Sequence, residues 1–119
     1  MGHRREGHDS SAALDARTAK LVARTMQALA TPSRLLILAR LREGPATVGD
    51  LSEEVGMEQS AVSHQLRLLR DTGLVEGDRQ GRSIVYRLFD DHVAELLDQA
   101  LFHSEHLRLA GVERSDAEG

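Results

Sequence analysis

The sequence predicts a mainly α-helical (α+β) domain with the element order α-α-α-α-β-β-α, which is the order of a winged helix-turn-helix. Three observations predict this fold. The chain has 119 residues, the length of one ordinary domain. With one Tyr, two Phe and no Trp, its core must be built largely from aliphatic side chains, which favours helices. Apolar residues recur at helical spacing as far as Gly73 and then alternate, which predicts a β-hairpin.

The first two helices are indicated by apolar periodicity and by a start signal between them. Apolar positions within residues 13–30 recur at helical spacing. Thr31-Pro32 then predicts a new helix, with Thr as the N-cap and Pro at the first helical position. This second helix covers residues 33–42, and Gly44-Pro45 ends it. The apolar residues that we expect it to bury are Leu35, Leu36, Ile37, Leu38 and Leu41.

The next two helices carry clear signals at their ends. Thr47, with Asp50 three residues later, resembles a capping box and predicts a short helix that ends at Gly56. Residues 57–72 form the fourth helix, which has apolar residues on one face, and Gly73 stands where a C-cap belongs.

Beyond the fourth helix, the pattern predicts a hairpin and a last helix. Leu74 and Val75 begin the first strand, residues 78–81 are predicted to form the turn, and residues 83–88 alternate as the second strand. The last helix covers residues 90–109, where helical spacing returns.

The chain divides into one folded domain between two polar ends. Residues 1–12 are expected to form a mobile arm, residues 13–110 the winged helix-turn-helix domain, and residues 111–119 a disordered tail. No apolar run approaches the roughly 20 residues needed to span a bilayer, and the first residues do not resemble a secretory signal. Without cysteine there is neither a disulfide nor a thiolate metal site. We therefore expect a cytoplasmic protein with no membrane partner.

The net charge of −4 conceals a basic segment. Residues 60–87 carry five Arg against three acidic residues, whereas residues 88–119 carry two Arg against eight acidic residues. Because salt confines charge interactions to about 10 Å at ~0.1 M, a local basic face is sufficient to meet DNA phosphates. Charge alone is equally compatible with an uneven, solvated surface.

The fourth helix carries a polar face suited to reading DNA. At about 100° per residue, Ser60, Ser63 and Arg67 share one face with His64, opposite the apolar positions. In a winged helix-turn-helix, this helix enters the major groove. We predict base contacts from Gln59, Ser60 and Ser63, and phosphate contacts from Arg67, Arg70, Arg79 and Arg82, the last two at the tip of the wing.

Three segments resemble the ArsR/SmtB family of metal-responsive repressors. They are residues 59–70 (QSAVSHQLRLLR) followed by Gly73-Leu74-Val75, residues 28–34 (ALATPSR) and residues 81–86 (GRSIVY). The resemblance covers residues 15–107 and implies a homodimer that binds a palindromic operator in double-stranded DNA. It also implies that His64 contacts a base, although a solvated or phosphate-facing ring is equally compatible with its position.

The last helix carries potential metal ligands at both ends of one face. Eleven residues separate His92 from His103, so these rings point within about 20° of each other, and His106 lies about 40° to the other side of His92. Asp90 stands beside His92. At ~1.5 Å per residue the two ends are ~16 Å apart, so one chain cannot place both on an ion with bonds of about 2 Å.

A second copy of the helix would remove this distance problem. If it packs antiparallel across a two-fold axis, Asp90 and His92 of one chain meet His103 and His106 of the partner subunit, in two identical sites. The spacing thus implies an isologous dimer. The alternative interpretation is that these side chains are simply exposed to solvent on the helix surface and bind no metal.

The family resemblance implies an inter-subunit sensor site at these four residues. It also implies no thiolate site, because Thr47 and Gly49 stand where the family's cysteines would be. Sensing of arsenic, cadmium or lead through thiolates is therefore not expected. Nitrogen and oxygen ligands suit Zn, Co or Ni, and affinity order does not exclude Cu(II).

The two ends of the chain bear on the choice of metal. His106 and the start Gly2-His3 resemble the nickel- and cobalt-sensing members of the family, which favours Ni(II) or Co(II), with Zn(II) as the alternative. If Met1 is removed, the amine of Gly2 and the ring of His3 could join the site. At Arg108-Leu109 the sequence departs from that type, in which a further His follows, so the coordination number stays open.

The predicted function is therefore that of a metal-responsive transcriptional repressor. The metal-free dimer binds the operator, and metal bound between the C-terminal helices releases it, so each ligand weakens binding of the other by the same factor. A regulator of this type without metal control, constitutive or dependent on a partner, is the alternative. An enzyme is not expected, because residues 103–106 do not form the metalloprotease motif His-Glu-x-x-His and no phosphate-binding Gly loop is present.

Overall fold

The computed structural model describes residues 14–111, which form five helices and one antiparallel sheet. The elements in chain order are α1 (Ala16–Ala28), α2 (Pro32–Arg42), β1 (Ala46–Thr47), α3 (Val48–Val55), α4 (Gln59–Asp71), β2 (Val75–Gln80), β3 (Ser83–Leu88) and α5 (Asp91–Leu109). The predicted winged helix-turn-helix is confirmed, with one added strand. Within the described range, no helix has both the length and the apolar character to cross a membrane.

The helices begin where their sequence signals predict. At α2, the Thr31 hydroxyl accepts a hydrogen bond from the Arg34 amide at 3.3 Å, and Pro32 occupies the first turn. At α3, the Thr47 hydroxyl accepts from the Asp50 amide at 3.1 Å, while the Asp50 carboxylate accepts from the Thr47 amide at 3.4 Å. Thr47 and Asp50 therefore form the predicted capping box.

The three strands lie in the order β1-β3-β2. β1 was not predicted, because its two residues are too few to show a period; it pairs through Ala46 opposite Tyr86. The predicted turn over residues 78–81 is wrong, since β2 continues to Gln80, which pairs with Ser83. The turn is instead Gly81-Arg82, with Gly81 at φ 64°.

Ion pairs across the hairpin explain why so polar a segment forms a strand. Arg87 on β3 donates to Glu76 at 3.1 Å and contacts Asp78 at 2.6 Å, both on β2. Its hydrogen bond to Asp78 is the main reason that the pKa of Arg87 is raised. Opposite charges on facing strands stabilise a hairpin, so these side chains extend β2 beyond its apolar start.

The core lies between α2, α3, α4 and the sheet, and α5 packs on it through its first half. Its residues, all buried, are Ala28, Ile37, Leu38, Leu41, Ala46, Leu51, Val62, Leu66, Leu69, Leu74, Val75, Tyr86, Val93 and Leu97. The expectation that Leu35 and Leu36 are buried is wrong, because both are exposed. Five apolar residues within seven helical positions cannot all face one side of α2.

Candidate nucleic-acid interface and metal-binding helix

The buried face of α4 determines which of its side chains point outward. Val62, Leu66 and Leu69 are at most 1% exposed and anchor this helix to the core. The predicted DNA-contacting residues of α4 lie on the other side of the helix: Gln59, Ser60, His64, Arg67 and Arg70 are exposed, and Ser63 is half-buried. The structure therefore presents them on one outward surface, as a helix entering a major groove requires.

The wing brings a second set of predicted residues towards this surface. Arg82 and Ser63 line the same cleft of about 450 Å³, which lies between the wing, α3 and α4. Thr47 and Ser83 also line it, although the sequence did not single them out as DNA contacts. Their proximity depends on the three-stranded sheet, whose first strand has no sequence signal.

The arginines of the wing divide into two kinds. Arg87 is held by its two carboxylate partners, so its charge is used within the hairpin. Arg79 and Arg82 are exposed, and within the described residues neither forms an ion pair. Arg79 lies near the end of β2 and Arg82 lies in the turn, where their guanidinium groups are available to phosphates.

Gly77 allows the hairpin to pack closely. A Cβ atom at this position would lie 2.9 Å from Ile84 Cγ2 and 3.0 Å from Tyr86 Cε2. Real Cβ atoms do not make contacts of 2.9 Å, so a larger residue would displace the side chains of Ile84 and Tyr86. Gly77 thus leaves room for the Ile84 and Tyr86 side chains of β3.

Asp90 begins α5 and already contacts one of the predicted metal ligands. Its Oδ1 accepts a hydrogen bond from the Val93 amide at 3.1 Å, and its Oδ2 lies 3.3 Å from His92 Nδ1. Desolvation raises the pKa of Asp90, but the hydrogen bonds from Val93 and His92 outweigh it, so the pKa is lowered overall. The carboxylate is therefore ionised at neutral pH, next to a His92 side chain that is 88% exposed.

The other predicted ligands lie at the far end of the same helix. His103 and His106 are both exposed. Within residues 14–111 of a single chain, no group of three or more potential ligands comes close enough to hold a metal ion. This agrees with the ~16 Å rise between His92 and His103 along a helix. Gly2 and His3 lie outside the described residues.

The donor set on α5 fits a divalent transition metal only in part within one chain. Asp90 and His92 supply one oxygen and one nitrogen donor at one end, and His103 and His106 supply nitrogen donors at the other. Imidazole and carboxylate together suit Ni, Co and Zn. The four-residue set predicted from the sequence would require donors from another α5.

The outer helices, α1 and α5, expose several large apolar side chains. The exposed set comprises Leu14, Leu21, Val22 and Met26 in and before α1, and Leu101, Phe102 and Leu109 in α5. Phe102 and Leu109 are 73% and 77% exposed. Large exposed apolar surfaces of this kind are typical of protein–protein interfaces.

Fold and surfaces together define a winged helix-turn-helix DNA-binding protein. The family described as bacterial regulatory protein, arsR family, matches residues 31–77. The chain is 62% identical over 120 residues to the HTH-type transcriptional regulator NmtR of Mycobacterium tuberculosis, and the match covers 100% of both chains. It is 41% identical over 85 residues to a transcriptional repressor SmtB homolog of Synechocystis, covering 71% of this chain and 64% of that relative.

Solved structures support the same assignment. The solution structure of apo-NmtR superposes with a TM-score of 0.69 at 69% identity and covers 81% of each chain. A homodimeric winged helix-turn-helix DNA-binding domain from Mycobacterium bovis, described as a possible ArsR-family regulator, gives a TM-score of 0.71 at 34% identity, covering 90% of this chain and 94% of that one. The chain belongs to the ArsR family of bacterial regulatory proteins.

Proposed function

We propose that this chain is a metal-responsive transcriptional repressor. As a metal-free homodimer it binds a palindromic operator, and it releases the DNA when Ni(II) or Co(II), with Zn(II) as the alternative, binds between the C-terminal helices. One observation carries this proposal: α5 presents Asp90 with His92 at one end of a face and His103 with His106 at the other, too far apart to act together in one chain. We expect the protein to act in the cytoplasm, where bacterial operator DNA lies.

The dimer follows from the surface of the outer helices. Apolar residues such as Leu21, Phe102 and Leu109 remain exposed on α1 and α5 in the single chain. A structural relative in the same family is homodimeric. Two α5 helices packed antiparallel about a two-fold axis would cover this apolar surface. They would also place each Asp90–His92 pair next to the opposite end of the partner helix.

The metal site is then shared between subunits. The ion would be held by Asp90 and His92 of one chain together with His103 and His106 of the partner subunit. By coordinating residues from both chains, it would crosslink the two α5 helices. The carboxylate of Asp90 is already aligned towards His92 by its hydrogen bond with the Val93 amide. The amine of Gly2 and the ring of His3 are proposed additional donors, which would raise the coordination number.

DNA is contacted by the outward surface of α4 and by the wing. Gln59, Ser60 and Ser63 are proposed to contact base edges, with His64 either at a base or at the backbone. Arg67, Arg70, Arg79 and Arg82 are proposed to contact phosphates. A two-fold dimer presents two such surfaces, whose separation must match successive major grooves of the operator.

Release follows because the same dimer interface sets both the metal site and the separation of the two α4 helices. A dimer geometry that closes the inter-subunit site differs from the geometry that fits the operator, so metal and DNA oppose each other. Couplings of this kind are typically about 1–3 kcal/mol, a factor of roughly 5–150 in affinity.

The test uses a duplex selected from random sequences by the metal-free protein. Its binding to the wild type and to the double variant His92→Ala/His103→Ala is followed by fluorescence anisotropy with Ni(II), Co(II), Zn(II) or no metal. We expect the variant to bind without metal within about twofold of the wild type and to lose metal-driven release. Gln99→Ala, an exposed position between the two clusters, is the matched control and should keep the response.

Two results would contradict the proposal. Intact metal-driven release in the double variant would place the sensor site elsewhere. If none of the three metals changes duplex binding by the wild type, the result would instead favour a regulator without metal control.

A further inference from the structure

Helix α2 makes a specific polar contact with α5 and another with α4. Near its C-terminal end, Arg42 donates two parallel hydrogen bonds to Asp98 of α5, from Nε to Oδ1 at 3.0 Å and from Nη2 to Oδ2 at 2.9 Å. Near its start, Arg34 donates from Nε to Gln65 Oε1 of α4 at 2.9 Å. α2 therefore connects the helix that carries the metal ligands to the helix that carries the DNA contacts.

Asp98 lies between the two ligand clusters in sequence but on a different face of α5. It follows His92 by six residues, or roughly 240° around the helix, so it points towards α2 and away from the proposed metal face. Its hydrogen bond with Arg42 is the main reason that the pKa of Asp98 is lowered, so the carboxylate is ionised at neutral pH. The ion pair is thus present under the conditions in which the proposed sensor works.

The geometry of the pair makes it sensitive to movement of α5. A guanidinium group that makes two parallel hydrogen bonds fixes the orientation of the carboxylate as well as its distance. Beyond the buried contact of Leu97, a cleft of about 210 Å³ lies between α2 and α5, lined by residues that include Leu35, Ala39 and Leu101. The cleft gives α5 space to rotate or slide. Such a movement would change the distance and orientation of Asp98 relative to Arg42.

The other end of α2 passes such a change to the DNA-reading surface. Ile37 and Leu38 are fully buried in the core that also contains Leu66 and Leu69 of α4. A shift of α2 must therefore move α4 with it, because closely packed interiors transmit displacement. Arg34 reinforces this contact through Gln65, which directly follows His64 in α4.

Resting on the proposed function, we infer that Arg42 and Asp98 are positioning residues for the metal response. They contact neither metal nor DNA, and they couple the geometry of α5 to that of α4 through α2. A merely structural role would show itself in folding or in metal-free DNA binding. Both side chains are about half exposed, 46% for Arg42 and 47% for Asp98, and ion pairs at such sites contribute little to stability.

The test compares four variants of the full-length chain: Asp98→Asn, Arg42→Met, Arg42→Lys and the control Glu54→Gln. Glu54 pairs with Arg40, so the control removes an ion pair of α2 that leads to α3 and not to α5. For each variant, Ni(II) affinity is measured by competition with a chromophoric chelator. Affinity for the selected duplex is measured with and without Ni(II).

We expect Asp98→Asn and Arg42→Met to keep metal-free duplex affinity and Ni(II) affinity within about twofold of wild type, while the Ni(II)-induced weakening falls to about a third or less of its wild-type factor. Arg42→Lys keeps the charge without the paired hydrogen bonds and should recover little of the response. Glu54→Gln should respond as the wild type does.

Several results would overturn the inference. An unchanged Ni(II) response in Asp98→Asn and Arg42→Met would do so, as would full recovery in Arg42→Lys, which would show that charge alone is sufficient. Weaker Ni(II) binding would make the pair part of the metal site, and weaker metal-free duplex binding would make it structural. A wild type without any metal response would overturn the proposed function, and this inference with it.

Discussion

Two regions of the molecule differ in how much of their apolar surface is buried within the single chain. One is the DNA-reading half, from α2 to β3, and the other consists of the outer helices, α1 and α5. The DNA-reading half contributes most of the core, including Leu51, Leu66 and Leu69. α1 contributes only Ala28 among the described residues, and α5 contributes Val93 and Leu97. The outer helices also carry the most exposed apolar side chains, with Leu109 at 77%.

This difference separates a surface that one chain forms by itself from a site that would need two chains. The surface that reads DNA is formed by packing within one chain. The proposed metal site, in contrast, is divided between the two ends of α5, so completing it would require a second copy of the chain. A protein organised in this way makes its DNA-binding geometry respond to whatever changes the interface between copies.

The largest expected effect comes from weakening the DNA-reading half. Leu69 is fully buried beneath the outward face of α4, so Leu69→Ala should cost about 2–5 kcal/mol in the free energy of unfolding. Urea denaturation followed by circular dichroism measures the loss. A cost below about 1 kcal/mol would show that α4 does not depend on this core contact.

A smaller effect, of a different kind, is expected from the outer helices. Phe102→Ser changes a side chain that is 73% exposed in the single chain, so helix content should be unchanged. If Phe102 lies in the proposed interface, the dimer dissociation constant should rise about 30-fold, equivalent to ~2 kcal/mol. Sedimentation velocity over a range of concentrations measures it. Wild-type self-association in this variant would place the interface elsewhere.

The smallest effect is expected at Asp90, which has one role in folding and one in the proposed metal site. It caps α5 through the Val93 amide and is also a proposed metal ligand. In metal-free protein, Asp90→Ala should lose about 1 kcal/mol of stability, whereas Asp90→Asn, which keeps an accepting oxygen, should lose much less. Thermal unfolding without metal separates the two variants, and equal destabilisation by both would argue against the capping role.

Much of the fold was predictable because its signals are local. Thr31-Pro32 and the Thr47–Asp50 capping box mark helix starts with residues that make their contacts within one turn. The turn of the hairpin was misplaced because β2 is extended by ion pairs to Arg87 on the facing strand, which no local pattern reveals. The exposure of Leu35 and Leu36 likewise depends on which face of α2 meets the core.

The candidate sites divide in the same way. Helical periodicity predicted the outward face of α4 and the separation of the histidines on α5, because both depend on spacing within one helix. The contact between Arg42 and Asp98 was not predicted, since the two residues are 56 positions apart and neither belongs to a motif. The cleft shared by Ser63 and Arg82 also required the folded sheet.

The most direct test of the shared metal site is complementation between two defective chains. One carries Asp90→Ala/His92→Ala and the other His103→Ala/His106→Ala. Each chain is titrated separately with Ni(II), and so is an equimolar mixture of the two that has been unfolded and refolded together. Neither homodimer has a complete site, but each mixed dimer has one. We predict that the mixture, unlike either chain alone, regains tight Ni(II) binding at about one site for every four chains. No recovery in a mixture shown to contain mixed dimers, or tight binding by either chain alone, would contradict the account.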